Sequence, residues 1–158
     1  MPIMLSGVEG IRACSGFHLG HSDWLEVDHA MLTVFGSLMD ERLQGTDGSG
    51  EPQVPCAVVL ALMVPLLQEI YVLEDTLNLT LHGIRELHFL SPVPLNSGVR
   101  IGATVKVIQP IGEQWEMILA CVMECDALHA PILRADVLYR FRSPSVAVVP
   151  QLSLCRSW

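Results

Sequence analysis

The segment from Phe35 to Leu67 reads FGSLMDERLQGTDGSGEPQVPCAVVLALMVPLL, and it decides the fold. Its last part, CAVVLALMVPLL from Cys56 to Leu67, is an almost unbroken apolar run. Such a run predicts a helix that is buried on every side. It contains Pro65 and is shorter than the roughly 20 apolar residues that a membrane-spanning helix needs. The sequence therefore predicts a central core helix rather than a membrane span.

A second helix is predicted before this segment. Asp28 is a typical N-cap residue, and the helix that it opens is expected to run from about His29 to Glu41. Leu32, Phe35 and Met39 recur within it at helical spacing and define a buried face. The stretch 45–55 that follows is rich in Gly, Asp, Ser and Pro. It reads as a loop that joins the two helices.

Four long segments after the central helix have the composition of strands. They are rich in Val, Ile, Leu and aromatic residues, and some alternate polar with apolar positions, as in strands with one solvated face. They run from Leu77 to Phe89, from Val99 to Gln109, from Trp115 to Glu124 and from Leu133 to Arg142. Turn sequences at 96–98 and 111–113 favour antiparallel connections. This order predicts an α+β fold, a curved antiparallel sheet wrapped around the long central helix.

Composition excludes several classes of function. The formal charge of −8 and the nine basic residues argue against nucleic acid and anionic membranes as partners. No targeting segment is recognisable, and five cysteines without a secretory context predict reduced thiols in a cytoplasmic protein. No spacing matches a metal motif, so neither a metal nor a cofactor is predicted. A mean hydropathy of +0.44 suggests extra buried surface, such as a subunit interface.

Length predicts one domain over residues 1–158, with an N-terminal arm or edge strand at 1–16 and a C-terminal tail at 143–158.

Four motifs in order resemble the MaoC-like (R)-specific enoyl-thioester hydratases, which have the hotdog fold. GHSDWLEV resembles the lead-in of that family, with Trp24 at its anchor, and Phe35-Gly36 matches the family's FA. The run from Cys56 resembles the central helix, and LHGIRELHFLSPVPLNSGVRI resembles the following strand block. The resemblance covers roughly residues 16–142.

The resemblance implies water addition by an aspartate and a histidine, with the thioester carbonyl held by a backbone amide at the start of the central helix. Alignment places the aspartate position at Glu41, with Asp40 one residue away. The histidine position falls at Gly45 or Thr46, and no histidine occurs between residues 30 and 81. A carboxylate is therefore retained, and the working histidine is missing.

Further site residues follow from the same alignment. Cys56 and Ala57 stand where the family has His-Gly at the helix start, and Leu62 stands in place of a serine. Cys56 is either a nucleophile or a small buried filler. His82, before Gly83, replaces a tyrosine that lines the substrate pocket, and is either an acid/base group or a hydrogen-bonded strand histidine. His88 is predicted to lie on the surface. The predicted catalytic residues are Asp40, Glu41 and His82, and the predicted substrate-binding residues are Thr46, Cys56, Ala57, Leu62 and Gly83.

Three functions fit these residues. The first is an enzyme of altered chemistry (dehydration, isomerisation or cyclisation) acting on a CoA-bound or carrier-protein-bound enoyl or polyketide-like acyl chain. The second is a non-catalytic acyl-binding subunit that pairs with a catalytic paralogue in a heterodimer. The third is a protein that binds an apolar metabolite. The resemblance implies a dimer, with a homodimer favoured, because hotdog proteins join their sheets edge to edge.

Overall fold

The computed structural model describes residues 2–36 and 52–144 of the chain. Within these ranges the helices are α1 (Gly7–Ala13), α2 (His29–Gly36) and α3 (Cys56–Leu67). The strands are β1 (Ile3–Ser6), β2 (His18–His21), β3 (Leu25–Val27), β4 (Gln53–Val54), β5 (Tyr71–Glu74), β6 (Leu77–Phe89), β7 (Val93–Pro94), β8 (Ser97–Ile111), β9 (Gln114–Cys125) and β10 (Pro131–Arg142).

The main sheet has the strand order β2–β8–β9–β10–β6, and β3 also pairs with β8. All of its pairings are antiparallel. Gly112 has a φ of 59° in the tight turn from β8 to β9, a conformation that glycine adopts without strain. All four long strands predicted from the sequence are present, so this part of the prediction is confirmed.

Helix α3 forms the centre of the hydrophobic core. Six of its apolar side chains are buried: Val58, Val59, Leu62, Met63, Leu66 and Leu67. Ala57, Ala61 and Pro65 are exposed, so the prediction that this helix is buried on every side is wrong for one face. The inward-facing side chains of the long strands pack in the same core, among them Ile101, Leu119 and Val137, none of which is exposed. Pro65 lies in the last turn of α3, and the helix ends two residues later.

Helix α2 begins where the sequence predicted. The backbone N–H of Met31 donates to Oδ1 of Asp28 at 2.9 Å, so Asp28 is the N-cap. Leu32 is buried, and Phe35 packs against the core. The remainder of this predicted helix, from residue 37 to Glu41, lies outside the described residues.

The N-terminal region has more structure than an arm or an edge strand. Strand β1 pairs in parallel with β5, and helix α1 follows it directly. Helix α1 is not predicted from local propensity, because GVEGIRA contains two glycines, which disfavour a helix. Tertiary packing explains the helix, since Ile11 is fully buried in the core.

Strand β6 forms one end of the main sheet and is irregular. Its register against β10 shifts at three places, which fall near Asn78, His82 and Glu86. Asn78 and Glu86 have positive φ angles of 55° and 53°. Such bulges bend a strand and increase its twist. Most side chains of β6 are exposed, so this strand is the open edge of the described sheet.

Candidate functional site

The N-terminus of α3 opens to solvent with unpaired backbone donors. Pro55 occupies the N-cap position and supplies no side-chain cap. The carbonyl of Pro55 accepts from the N–H groups of Val58 and Val59, at 2.9 and 3.2 Å. No described residue accepts from the N–H of Cys56 or Ala57. Two free amides and the positive end of the helix dipole therefore face the solvent, an arrangement that binds a negatively polarised oxygen.

A short hairpin-like pairing fixes the position of this helix start. Strand β4 pairs with β7, with Val54 opposite Val93. The N–H of Leu95 donates to the carbonyl of Pro52 at 3.2 Å. Gln53, in β4, has its Oε1 atom buried, with no hydrogen-bond partner among the described residues. Buried acceptors are normally satisfied, so Gln53 is a further polar group near the helix start that the sequence reading missed.

The predicted residues of α3 divide into two groups. Cys56 and Ala57 are exposed at the helix start, so the alternative reading of Cys56 as a small buried filler is wrong. Leu62 is buried within the core at 8% exposure. The helix thus presents a polar backbone at its end and apolar side chains behind it.

His82 and Gly83 lie on the open edge strand. Leu81 pairs with Tyr139 and Gly83 pairs with Leu138, so His82 is the extra residue of a bulge. The side chain of His82 is exposed and makes no hydrogen bond with a described residue. This argues against the interpretation of His82 as a strand histidine with a hydrogen-bonded side chain. A side chain added at Gly83 would meet no atom within 4 Å. His88 is exposed, as predicted.

Helix α3 contacts the sheet mainly at β8, whereas His82 lies on β6. Strands β9 and β10 lie between β8 and β6. Asp40, Glu41 and Thr46 lie outside the described residues, as does Gly45. The described part of the chain therefore holds the helix start and the edge strand as two separate elements.

Two buried tyrosines lie beside this edge and were missed by the sequence reading. Tyr139 is the β10 residue opposite Leu81, and it lies close enough to Tyr71 on β5 for each phenol to affect the pKa of the other. Burial is the largest cause of a shift in both tyrosines: it raises the pKa of Tyr71 far above its usual range and also raises the pKa of Tyr139. Both phenols are therefore neutral hydrogen-bonding groups. The only sequence signal for Tyr139 is its inward position in the alternating segment LRADVLYRF.

The outer face of the sheet carries a buried carboxylate. Glu116 accepts hydrogen bonds from Arg140 Nε and Gln109 Nε2, both at 3.1 Å. Burial alone would raise the pKa of Glu116, but these bonds, with the charges of Arg140 and Arg85, outweigh it and hold that pKa below its ordinary value. The network is fully paired, which is typical of a structural role.

Within residues 2–36 and 52–144, no group of three His, Cys, Asp or Glu side chains is arranged to hold a metal ion. Cys121 and Cys125 are both buried on β9, and burial raises the pKa of the Cys121 thiol to about 12. The four cysteines in the described part of the chain are free thiols. No helix there is long and apolar enough to cross a membrane.

An antiparallel sheet curved around one buried helix defines the hotdog class of proteins, and this chain has that fold. The structure resembles a MaoC-like dehydratase from Rhodospirillum rubrum with a TM-score of 0.64 and 17% sequence identity, over 82% of this chain and 94% of that chain. It also resembles an (R)-hydratase from A. caviae involved in PHA biosynthesis, with a TM-score of 0.60 and 14% identity, over 82% and 96% of the two chains.

A third similar structure is the ChsH1–ChsH2 complex from Mycobacterium tuberculosis, with a TM-score of 0.59 and 13% identity, over 81% of this chain and 98% of that chain. No family model matches the sequence, and a search of curated proteins finds no match. At these identities the similarity establishes the hotdog fold, of the kind seen in MaoC-like dehydratases and (R)-hydratases.

Proposed function

We propose that this protein binds an acyl thioester with its carbonyl oxygen at the N-terminus of α3. The observation that carries the proposal is the pair of free amides at Cys56 and Ala57 in a hotdog fold. Two convergent N–H groups at a helix end stabilise the negative charge that develops on a thioester oxygen.

The reaction that we propose is dehydratase-like, isomerising or cyclising chemistry on an enoyl or polyketide-like chain, rather than ordinary hydration. No histidine stands at the position where the similar hydratases have one, and the serine position of the helix is the buried Leu62. Asp40 or Glu41 would supply the proton transfer, and His82 would act as a second acid/base group. An apolar site of this kind favours rearrangement of a bound chain over activation of water.

A second subunit is part of this proposal. Leu77, Leu79, Leu81 and Phe89 on the open edge strand β6 are each 42–49% exposed. A long apolar edge strand is a template for pairing with another strand, and proteins normally cover such an edge. We expect a second copy of the chain to pair with β6, in a cytoplasmic dimer.

The alternative is a non-catalytic acyl-binding subunit in a complex with a catalytic paralogue. It is favoured by the missing histidine together with the structural similarity to the ChsH1–ChsH2 complex, which contains two different proteins. The two proposals share the thioester site and differ in the partner and in turnover.

Cys56→Pro tests the binding site, with Cys56→Ala as its matched control. Proline is well tolerated at the first position of a helix and removes both the thiol and the N–H, whereas alanine removes only the thiol, so the difference between the two variants measures the N–H. We expect calorimetry with crotonyl-CoA to show binding that is about tenfold weaker for Cys56→Pro and unchanged for Cys56→Ala. Equal affinity in the two variants would show that the N–H of residue 56 does not contribute to binding, and would contradict the proposed role of the helix amides. Equal weakening in both variants relative to the wild type would assign the role to the thiol.

Turnover distinguishes the enzyme from the subunit. A panel of enoyl-CoA and 3-hydroxyacyl-CoA thioesters is assayed with the wild-type protein and with Asp40→Asn and Glu41→Gln. Loss of turnover in one variant would identify the base, and turnover unchanged in both would exclude the two carboxylates. Binding without turnover on any substrate would favour the non-catalytic subunit.

The mass in solution, measured by light scattering, tests the dimer. We expect Leu81→Glu to dissociate it and Phe17→Glu, at another exposed apolar position, to leave it intact. A wild-type monomer that dimerises only with a catalytic paralogue would support the heterodimer.

A further inference from the structure

The basic residues of this acidic protein are concentrated on one surface. All lysines and arginines in the described ranges except Arg12 lie on β6, β8 and β10, and strand alternation directs them to the outer face of the main sheet, away from α3. They are Arg85, Arg100, Lys106, Arg134, Arg140 and Arg142. The outer face is therefore the surface on which an anion would meet the least repulsion.

Four of these six cations form ion pairs with carboxylates, and Arg85 and Arg134 form none with a described residue. The N···O distances are 3.4 Å from Arg100 to Glu124, 2.7 Å from Lys106 to Asp136, 3.1 Å from Arg140 to Glu116 and 3.5 Å from Arg142 to Glu113. Arg85 lies close enough to Glu116 to lower its pKa. The side chain of Arg134 is exposed, and it makes no ion pair or hydrogen bond with any residue in the described ranges. Its guanidinium is the uncompensated charge of this face.

A trough passes on both sides of Arg134. Two hollows of about 300 and 350 Å³ both have Arg134 and Val122 in their walls. The first has Ala120 in its floor, and there Lys106 of β8 reaches over β9 to Asp136 of β10. The reach is possible because the β9 residue beneath it, Ala120, is small. The salt bridge forms one wall and leaves an apolar floor beside Arg134.

Imidazoles line both hollows. His88 is the residue of β6 that pairs directly with Arg134, and His129 lines the second hollow. Two of the three carboxylates that line the hollows are paired with cations other than Arg134: Asp136 with Lys106, and Glu124 with Arg100. Glu86 lies 3.8 Å from His88 Nε2, on the strand edge. The trough thus combines the guanidinium of Arg134, two imidazoles, an apolar floor and, at its strand edge, the carboxylate of Glu86.

We propose that this trough binds an organic phosphomonoester, with the phosphate on Arg134 and the organic group on Ala120 and Val122. A planar guanidinium matches two oxygens of a phosphate, and flanking imidazoles add charge and donors to a dianion. The apolar floor adds affinity for the organic part. The site lies on the face opposite α3, so it is separate from the proposed thioester site and independent of it.

The site is tested by titrating the protein with phenyl phosphate and, separately, with inorganic phosphate. NMR monitors the imidazole signals of His88 and His129 during each titration. The pH is about 7, where both probes carry substantial dianion charge. We expect saturable binding of phenyl phosphate with a Kd on the order of 1 mM, several-fold tighter than that of inorganic phosphate. Arg134→Gln should weaken both by about tenfold. Arg142→Gln, on the same strand and face but paired with Glu113, is the matched control and should change neither.

Val122→Ala tests the floor separately. It removes two methyl groups from the apolar surface and should weaken phenyl phosphate about threefold while leaving inorganic phosphate unchanged. Equal effects of Arg134→Gln and Arg142→Gln, or no saturation with either probe, would overturn the proposal. Equal affinity for the two probes would overturn the assignment of an organic group. Each of these results is obtained without an acyl thioester, so it does not depend on the outcome of the thioester experiments.

Discussion

Arg140→Met is expected to destabilise the fold, and the structure gives the magnitude. Methionine retains the unbranched stem but removes the guanidinium that donates to Glu116. The side chain of Glu116 is only 6% exposed, so its charge loses a partner that water cannot replace. A hydrogen bond to a charged group contributes about 1.5–3 kcal/mol, and breaking a buried pair costs about 3–5 kcal/mol. Gln109 still donates to the same carboxylate, so we expect a loss of about 2–3 kcal/mol at neutral pH.

The pH dependence of this loss is the sharper part of the prediction. The pKa of Glu116 in the folded protein lies below its ordinary value of 4.5. A carboxyl group of that kind contributes stability that is present above its unfolded pKa and is lost as the pH falls through its folded pKa. In Arg140→Met the guanidinium no longer holds this pKa down. The difference in stability between wild type and variant should therefore shrink as the pH is lowered from about 7 to below about 4.

Urea denaturation at several pH values and one fixed protein concentration measures both effects. Arg142→Met is the matched control, because Arg142 and Glu113 are 47% and 86% exposed and an exposed pair contributes less than about 1 kcal/mol. An Arg140→Met protein that is as stable as the Arg142→Met protein would refute the reasoning. A loss of 2–3 kcal/mol that persists undiminished at low pH would show that packing, not charge, holds this network.

Three further predictions concern other parts of the molecule. Tyr71→Phe removes a hydroxyl that is buried beside Tyr139, and denaturation should show a loss of about 1–2 kcal/mol of unfolding free energy; an unchanged midpoint would show that this hydroxyl does not contribute to stability. Iodoacetamide should modify the exposed Cys56 in the native protein and Cys121 only after unfolding, because burial raises the pKa of the Cys121 thiol to about 12. Mass spectrometry measures the labelling of each cysteine, and rapid labelling of Cys121 in the native protein would refute the prediction. Asp28→Ala should cost about 1 kcal/mol of unfolding free energy, whereas Asp28→Asn, which retains the cap, should cost much less.

Local patterns were sufficient to predict the main elements of the fold. The apolar run from Cys56 to Leu67 predicts its own burial, because a helix without a polar face is stable only inside a core. Asp28 marks the start of α2 because its carboxylate satisfies a helix amide within the same turn. The four long strands follow from β-branched composition and alternation, both of which are properties of neighbouring residues.

The tertiary structure decided the features that depend on residues far apart in the chain. Helix α1 forms because Ile11 enters the core, although its glycines disfavour a helix. The proximity of Tyr71 to Tyr139 and the pairing of Glu116 with Gln109 and Arg140 involve residues on different strands, so local spacing does not predict them.

The sequence by itself determined the apolar run from Cys56 to Leu67, the carboxylates at Asp40 and Glu41, and the absence of histidine between residues 30 and 81, because these are facts of composition at fixed positions. Only the tertiary structure decided that Cys56 faces solvent beside free amides and that β6, with His82 in a bulge, is the open edge of the sheet. It alone also decided that the Arg134 side chain, on the outer face, has no ion pair with another residue in the described ranges. Exposure and charge pairing depend on which strands become neighbours, and strand order is set by the packing of the whole chain rather than by any one segment.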